Sequence, residues 1–204
     1  MNKSRLEAFS DGVLAIVITI MVLELKVPHG ATWPALRPMI PVFLSYVLSF
    51  AYVGIYWNNH HHMLHATRHI NGRILWANLH LLFWLSLIPV VTAWVGENPR
   101  AVPPTALYGA VLFMAGVAFF ILERAIVAYN GRDSALARAV GHDHKAIASQ
   151  ILYAAAIALA FVARPLSQLI YLAVALLWLV PDRRIERAVS AERSAAPSGA
   201  GERR

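Results

Sequence analysis

Cysteine is absent from the chain, which excludes a disulfide framework and any thiol chemistry. Charge is scarce: Asp, Glu, Lys and Arg make up 14% of the residues, where soluble domains carry about 25%. There is no glycine-rich phosphate loop, no carboxylate pair spaced for acid–base work and no Ser–His–acid set, so the chain does not read as an enzyme. Acidic residues are fewer than basic ones, 11 against 18, for a net charge of +7. With no soluble basic domain to carry it, that charge does not indicate nucleic-acid binding. What fills the chain instead is apolar: 58% hydrophobic residues and a mean hydropathy of +0.54. The expected solvent is a lipid bilayer.

A spanning helix needs roughly 20 mostly apolar residues. Six segments qualify or nearly so, at about 8–26, 39–57, 73–95, 104–123, 146–163 and 166–181. The last two are short and separated only by Arg164-Pro165, which suits a tight hairpin because Pro is well tolerated at a helix start. The first run follows acidic residues, is long enough to span and lacks a small-residue cleavage site, so it reads as a span and not as a cleaved signal. Loop charges test the count. With six spans and the N-terminus inside, the inner pieces hold Lys3, Arg5, Arg68, Arg73, Arg124, Arg132, Arg138, Lys145, Arg183, Arg184, Arg187, Arg193, Arg203 and Arg204, and the outer pieces only Lys26, Arg37, Arg100 and Arg164. The positive-inside rule then places both termini in the cytoplasm. Trp33, Trp57, Trp76, Trp94 and Trp178 fall near predicted span ends, as interfacial anchors do. The expected organisation is a six-helix membrane domain over 1–189 and a disordered cytoplasmic tail over 190–204, whose Ser/Ala/Pro/Gly/Arg composition cannot bury a core.

The first span opens Arg5-Leu6-Glu7-Ala8-Phe9-Ser10-Asp11 and then runs from Gly12 to Leu23 without a charge. At 100° per residue, Gly12, Ile16, Ile20, Leu23 and Val27 share a stripe, with Thr19 beside it. Repeated around an axis, the stripe would form apolar rings that gate by dewetting, with a hydroxyl ring between them. Such a stripe also suits packing on neighbouring helices or facing lipid. Ser10 and Asp11 admit three roles. They can bond to polar groups on other helices and so fix the rotation of helix one. They can contact an ion or proton directly, or simply cap the helix. Partners are available: Trp57, Asn58, Asn59, His60 and His61 at the end of helix two, and Asn78 and His80 in helix three.

His60-His61-His62, His65 and His69 form a run in a predicted interfacial turn. His61 and His65 are spaced i, i+4, a minimal pair for Zn²⁺, but no carboxylate or Cys accompanies them. No metal or other cofactor is expected, and interfacial or network histidines are the plainer account. Protonation near pH 6 would make this surface pH-sensitive.

With these residues laid out, the chain resembles the prokaryotic members of the transmembrane protein 175 family of potassium channels. The family's marker, an Arg, three residues and then Phe-Ser-Asp on helix one, is matched by Arg5, Phe9, Ser10 and Asp11. The apolar run from Gly12 to Leu25, Tyr56-Trp57 and Asn78 are also similar. The resemblance implies an all-α homotetramer of six-helix subunits in the cell membrane, its single pore lined by four copies of helix one. It implies a leak channel for K⁺ and other monovalent cations, without a Thr-Val-Gly-Tyr-Gly filter or a charged voltage-sensor helix; the sequence contains neither. Carried over by position, Ile16, Ile20 and Leu23 form the constriction and Thr19 a filter-layer hydroxyl. Arg5, Phe9, Ser10 and Asp11, with Trp57, His61 and Asn78, hold helix one in register. The competing reading is a small proton-coupled transporter using Asp11, Glu24, Asn78 and His80, against which the chain shows no half-chain repeat.

Overall fold

The computed structural model describes residues 2–67, 69–131 and 144–179. These form seven α-helices: α1 (Lys3–Leu23), α2 (Ile40–His65), α3 (Gly72–Ser86), α4 (Ile88–Glu97), α5 (Val102–Asn130), α6 (His144–Ala160) and α7 (Arg164–Leu179). A short 3₁₀ segment, Trp33–Met39, leads into α2. Among the described residues there are no strands. Local signals set the ends. The Asn2 side chain caps α1 by accepting from the Ser4 amide, and Asn71 caps α3 by accepting from the Ile74 amide. Pro103 and Pro104 open α5, and Gly131, at φ 95°, closes it.

Seven helices make six passes because α3 and α4 are one pass broken at Leu87. Pro89 has no N–H to give the Leu85 carbonyl, so the helix restarts there. The polypeptide contacts at the helix ends fix the alternation. At one end Lys3 Nζ donates to the His65 carbonyl at 3.1 Å, and Asn130 exchanges two hydrogen bonds with the His69 backbone. At the other end Lys26 meets Glu97 at 2.6 Å, Gln168 donates to the Pro99 carbonyl, and Arg164 donates to that of Arg100. The helices α1, α2, α3–α4 and α5 are long and apolar enough to cross a membrane. The 17 residues of α6 and 16 of α7 are shorter, reaching roughly 24–26 Å at 1.5 Å per residue.

Several predicted limits shift. The helix α1 starts five residues before the predicted span, so the whole Arg5–Asp11 segment is helical. Helix α2 runs on to His65 instead of stopping near 57. His60, His61, His62 and His65 therefore lie on the last turns of a helix, not in a turn, and His69 alone follows it: the backbone of a polar segment still completes its hydrogen bonds most cheaply by continuing the helix it follows. The arginines at 68, 132, 138 and beyond 182, and the tail at 190–204, lie outside the described residues.

The core runs along the bundle through Leu14, Val53, Ile74, Leu81, Leu112, Ala156 and Val174, all essentially inaccessible. Hydroxyls cross it in the half away from the start of α1. Thr92 donates to the Ile88 carbonyl and its oxygen lies 2.7 Å from the Ser49 hydroxyl, Ser49 is 3.0 Å from the Tyr108 hydroxyl, and Tyr52 donates to the Tyr171 carbonyl at 2.6 Å. In an apolar solvent these bonds have no competing water, so they set helix rotation where apolar packing alone is permissive.

Candidate functional site on the first helix

The two faces of α1 are chemically sorted. Leu6, Ser10, Leu14, Val17 and Met21 are buried against the rest of the subunit. Arg5, Phe9, Gly12, Ile16, Thr19, Ile20 and Leu23 are exposed and lie within roughly 60° of one direction at 100° per residue. Ile16 is 58% exposed, Ile20 43% and Leu23 79%. Thr19 donates back to the Ile16 carbonyl at 2.9 Å, leaving its oxygen lone pairs on the free face.

The buried face is held by a chain of hydrogen bonds at the end where α1 begins. The Ser10 hydroxyl donates to the Leu6 carbonyl at 2.9 Å. Having spent its only hydrogen, Ser10 Oγ accepts from Asn78 Nδ2 at 3.0 Å. That turns Asn78 Oδ1 toward His60 Nε2, 2.7 Å away, so His60 carries its proton on Nε2. Ser10 and Asn78 are wholly buried and His60 nearly so. One turn along the rim, Trp57 Nε1 donates to Asp11 Oδ1 at 2.9 Å. Helix α1 is thus tied to both α2 and α3 by side chains that accept or donate along one line.

The expected residues divide accordingly. Ser10, Asp11, Trp57 and Asn78 are brought together. Trp57 is a hydrogen-bond partner of α1 as well as an interfacial ring, and Trp178 likewise donates to Ser149 at 2.8 Å. His61 is not in the chain of bonds; its ring stacks on Trp57 and His65, at centroid distances of 5.8 and 6.2 Å. The bonded position belongs to His60, because one step along α2 rotates the side chain by 100°, from the exposed side to the α3 side. Arg5 and Phe9 stand outside the network on the free face of α1, in line with Ile16 and Leu23. Among the described residues no group of three or more His, Asp or Glu side chains is placed to hold a metal. The groups of the transporter reading do not converge: His80 accepts from Trp84 within α3 at 3.0 Å, and Glu24 sits at the far end of α1 from Asp11.

The sequence reading missed one tether. Just beyond Leu23, Lys26 pairs with Glu97 at the end of α4. The carboxylate, first through its hydrogen bond and then through its charge, holds the Lys26 ammonium above the ordinary lysine value. The signal was two opposite charges at the ends of different passes, and only the alternation of passes puts them side by side.

Comparison with known proteins gives the same picture of the chain as a whole. Residues 5–89 match the family described as "Endosomal/lysosomal potassium channel TMEM175". A potassium channel from Chryseobacterium sp. (strain P1-3) is 53% identical over 189 residues, which is 93% of this chain and 98% of that one. A potassium channel from Streptomyces collinus is 34% identical, covering 82% of this chain and 87% of its own length. The crystal structure of a lysosomal potassium-selective channel TMEM175 homolog from Chamaesiphon minutus superimposes with a TM-score of 0.74 at 27% identity, over 95% of this chain and 98% of that one. The six-pass helical fold, the sorted first helix and these relatives lead to one assignment: this chain belongs to the TMEM175 family, and it is a multi-pass membrane ion channel, not an enzyme.

Proposed function

We propose that this protein is a potassium-preferring leak channel built from four copies of the chain, with α1 of each copy facing a common axis. The observation that carries the reading is the free face of α1. In a single subunit a spanning helix is fixed by buried hydrogen bonds on one side and leaves Ile16, Thr19, Ile20 and Leu23 uncovered on the other. The bacterial relatives are named potassium channels, which supports K⁺ as the preferred ion. Rings of Ile16, Ile20 and Leu23 form a constriction that a hydrated ion does not cross while it stays narrow, since apolar walls give nothing in exchange for ion hydration. Widening the rings lets water in and brings the Thr19 oxygen within reach of the ion. Ser10, Asp11, Trp57 and Asn78 do not touch ions in this scheme; they hold the register that aims the stripe. The excess of inner Lys and Arg supports cytoplasmic termini in the cell membrane.

Recording of purified protein in planar bilayers under a K⁺/Na⁺ bi-ionic gradient tests this. Unitary currents with a reversal potential displaced toward that of K⁺ are expected. Slow, saturable flux that follows a proton gradient, with no unitary events, would overturn the channel mechanism in favour of a carrier. Currents without K⁺ preference would overturn the selectivity alone.

A further inference from the structure

We infer that the groove between α3 and α5 is a binding site for an anionic phospholipid, its phosphate held at Arg73 and its chain laid along the helices. The groove lies at the end of the bundle where α3 begins. Asn71, which caps α3, and Arg73, Trp76 and His80 of that helix line one side, and Ile121 and Ala125 of α5 the other. Its chemistry runs in one direction. At the mouth stand the Arg73 guanidinium, which makes no ion pair or hydrogen bond among the described residues, and the capped first turn of α3. That turn keeps N–H groups without intrahelical acceptors. Deeper in, the walls are the Trp76 ring, Ala77, Ile121 and Ala125, with His80, whose Nε2 already accepts from Trp84. No acidic residue is among the described residues that line the groove, so no described side chain in it neutralises Arg73.

The occupant follows from that order of groups. A free phosphate would satisfy the mouth and leave the apolar wall to be covered by something else. A neutral lipid would cover the wall but bring its own cation to the arginine. An anionic lipid matches both ends with one molecule. Trp76 is 75% exposed, and an indole at the headgroup level, apolar in body with one N–H donor, suits the glycerol region of such a lipid. A basic groove between spanning helices is a known physical route to headgroup selectivity, one arginine contributing about a fivefold preference near the surface. The groove uses α3 and α5 and none of the free face of α1, so it does not rest on the pore reading.

Fluorescence quenching by brominated lipid tests the site in the intact protein reconstituted into vesicles. The Trp76 component is the difference between the natural protein and Trp76→Phe. It is expected to be quenched by brominated phosphatidylglycerol at a lower mole fraction than by brominated phosphatidylcholine. Arg73→Gln should shift that preference about fivefold toward equality, while Arg124→Gln, whose guanidinium already lies over Phe120, leaves it unchanged. Inorganic phosphate should not relieve the quenching. Equal quenching by the two lipids, an unchanged preference in Arg73→Gln, or relief by free phosphate would each overturn the site. Absence of any Trp76 quenching would also overturn it.

Discussion

Pairing Ser10→Ala with Asn78→Ala asks whether the buried bond between α1 and α3 holds as one unit. Asn78 gives its amide hydrogen to Ser10 and takes a hydrogen from His60, with all three side chains out of reach of solvent. Asn78→Ala therefore strands the His60 N–H, which costs about 1–3 kcal/mol when no partner replaces it. Ser10→Ala strands only one Asn78 N–H, since the Ser10 hydrogen was already spent on the Leu6 carbonyl. It should cost less than Asn78→Ala. The direct Ser10–Asn78 term is the coupling between the two. Interhelical bonds in bilayers average about 0.6 kcal/mol and reach about 1.7, and the full burial here places the expected value in the upper half of that range. Reversible unfolding in mixed micelles, followed for the natural protein, both single variants and the double variant, gives the coupling directly. Additivity within about 0.3–0.5 kcal/mol, the scatter of independent sites, would refute the reasoning. Equal costs for the two single variants would refute the assigned direction of the chain.

Further expectations follow from the same geometry. Ile16→Ala and Leu23→Ala remove bulk from the proposed constriction and should raise leak current severalfold and weaken K⁺ over Na⁺; currents and ion ratios unchanged in both would remove these residues from the pore. Gly109→Ala puts a methyl group into the Tyr171 hydroxyl and 2.9 Å from Ile157 Cγ1. Overpacking of that kind costs about 1–3 kcal/mol, and an unchanged melting temperature in detergent would contradict the close approach of α5 to α7. The Lys26–Glu97 pair predicts a pH response of known sign. Because the ammonium pKa is raised in the folded protein, its contribution is complete below the ordinary lysine value and is lost as pH climbs through the higher folded value. Lys26→Gln should lower that alkaline loss of thermal stability, and an identical alkaline limb in the variant would assign it to another group.

Much of the path to this site was legible residue by residue. The six passes follow from hydropathy and loop charge, because apolar runs in lipid have no structural choice but to complete their backbone bonds as helices. The free stripe of α1 follows from its period, since Ile16, Thr19, Ile20 and Leu23 must share a side of any α-helix. Periodicity does not say what that side faces. The broken third pass was foreshadowed only by Pro89, and the length of α2 not at all: hydropathy ends near residue 57, but the helix continues until its backbone meets the turn before α3.

Partner choice is what the tertiary structure alone decided. Sequence places His60 and His61 side by side with equal claim on Asn78; the rotation of α2 against α3 awards the bond to His60 and leaves His61 stacked on Trp57. Arg5 and Phe9 read as part of the same motif as Ser10 and Asp11, yet the helix sends them to opposite sides, because four residues return to a face and five do not. Lys26 and Glu97 are 71 residues apart and carry no shared pattern; only the up-and-down path of the chain joins them. Local sequence determines which groups a helix carries on each face. Which groups meet depends on the relative rotation and depth of helices, and those are set by the whole bundle packing at once.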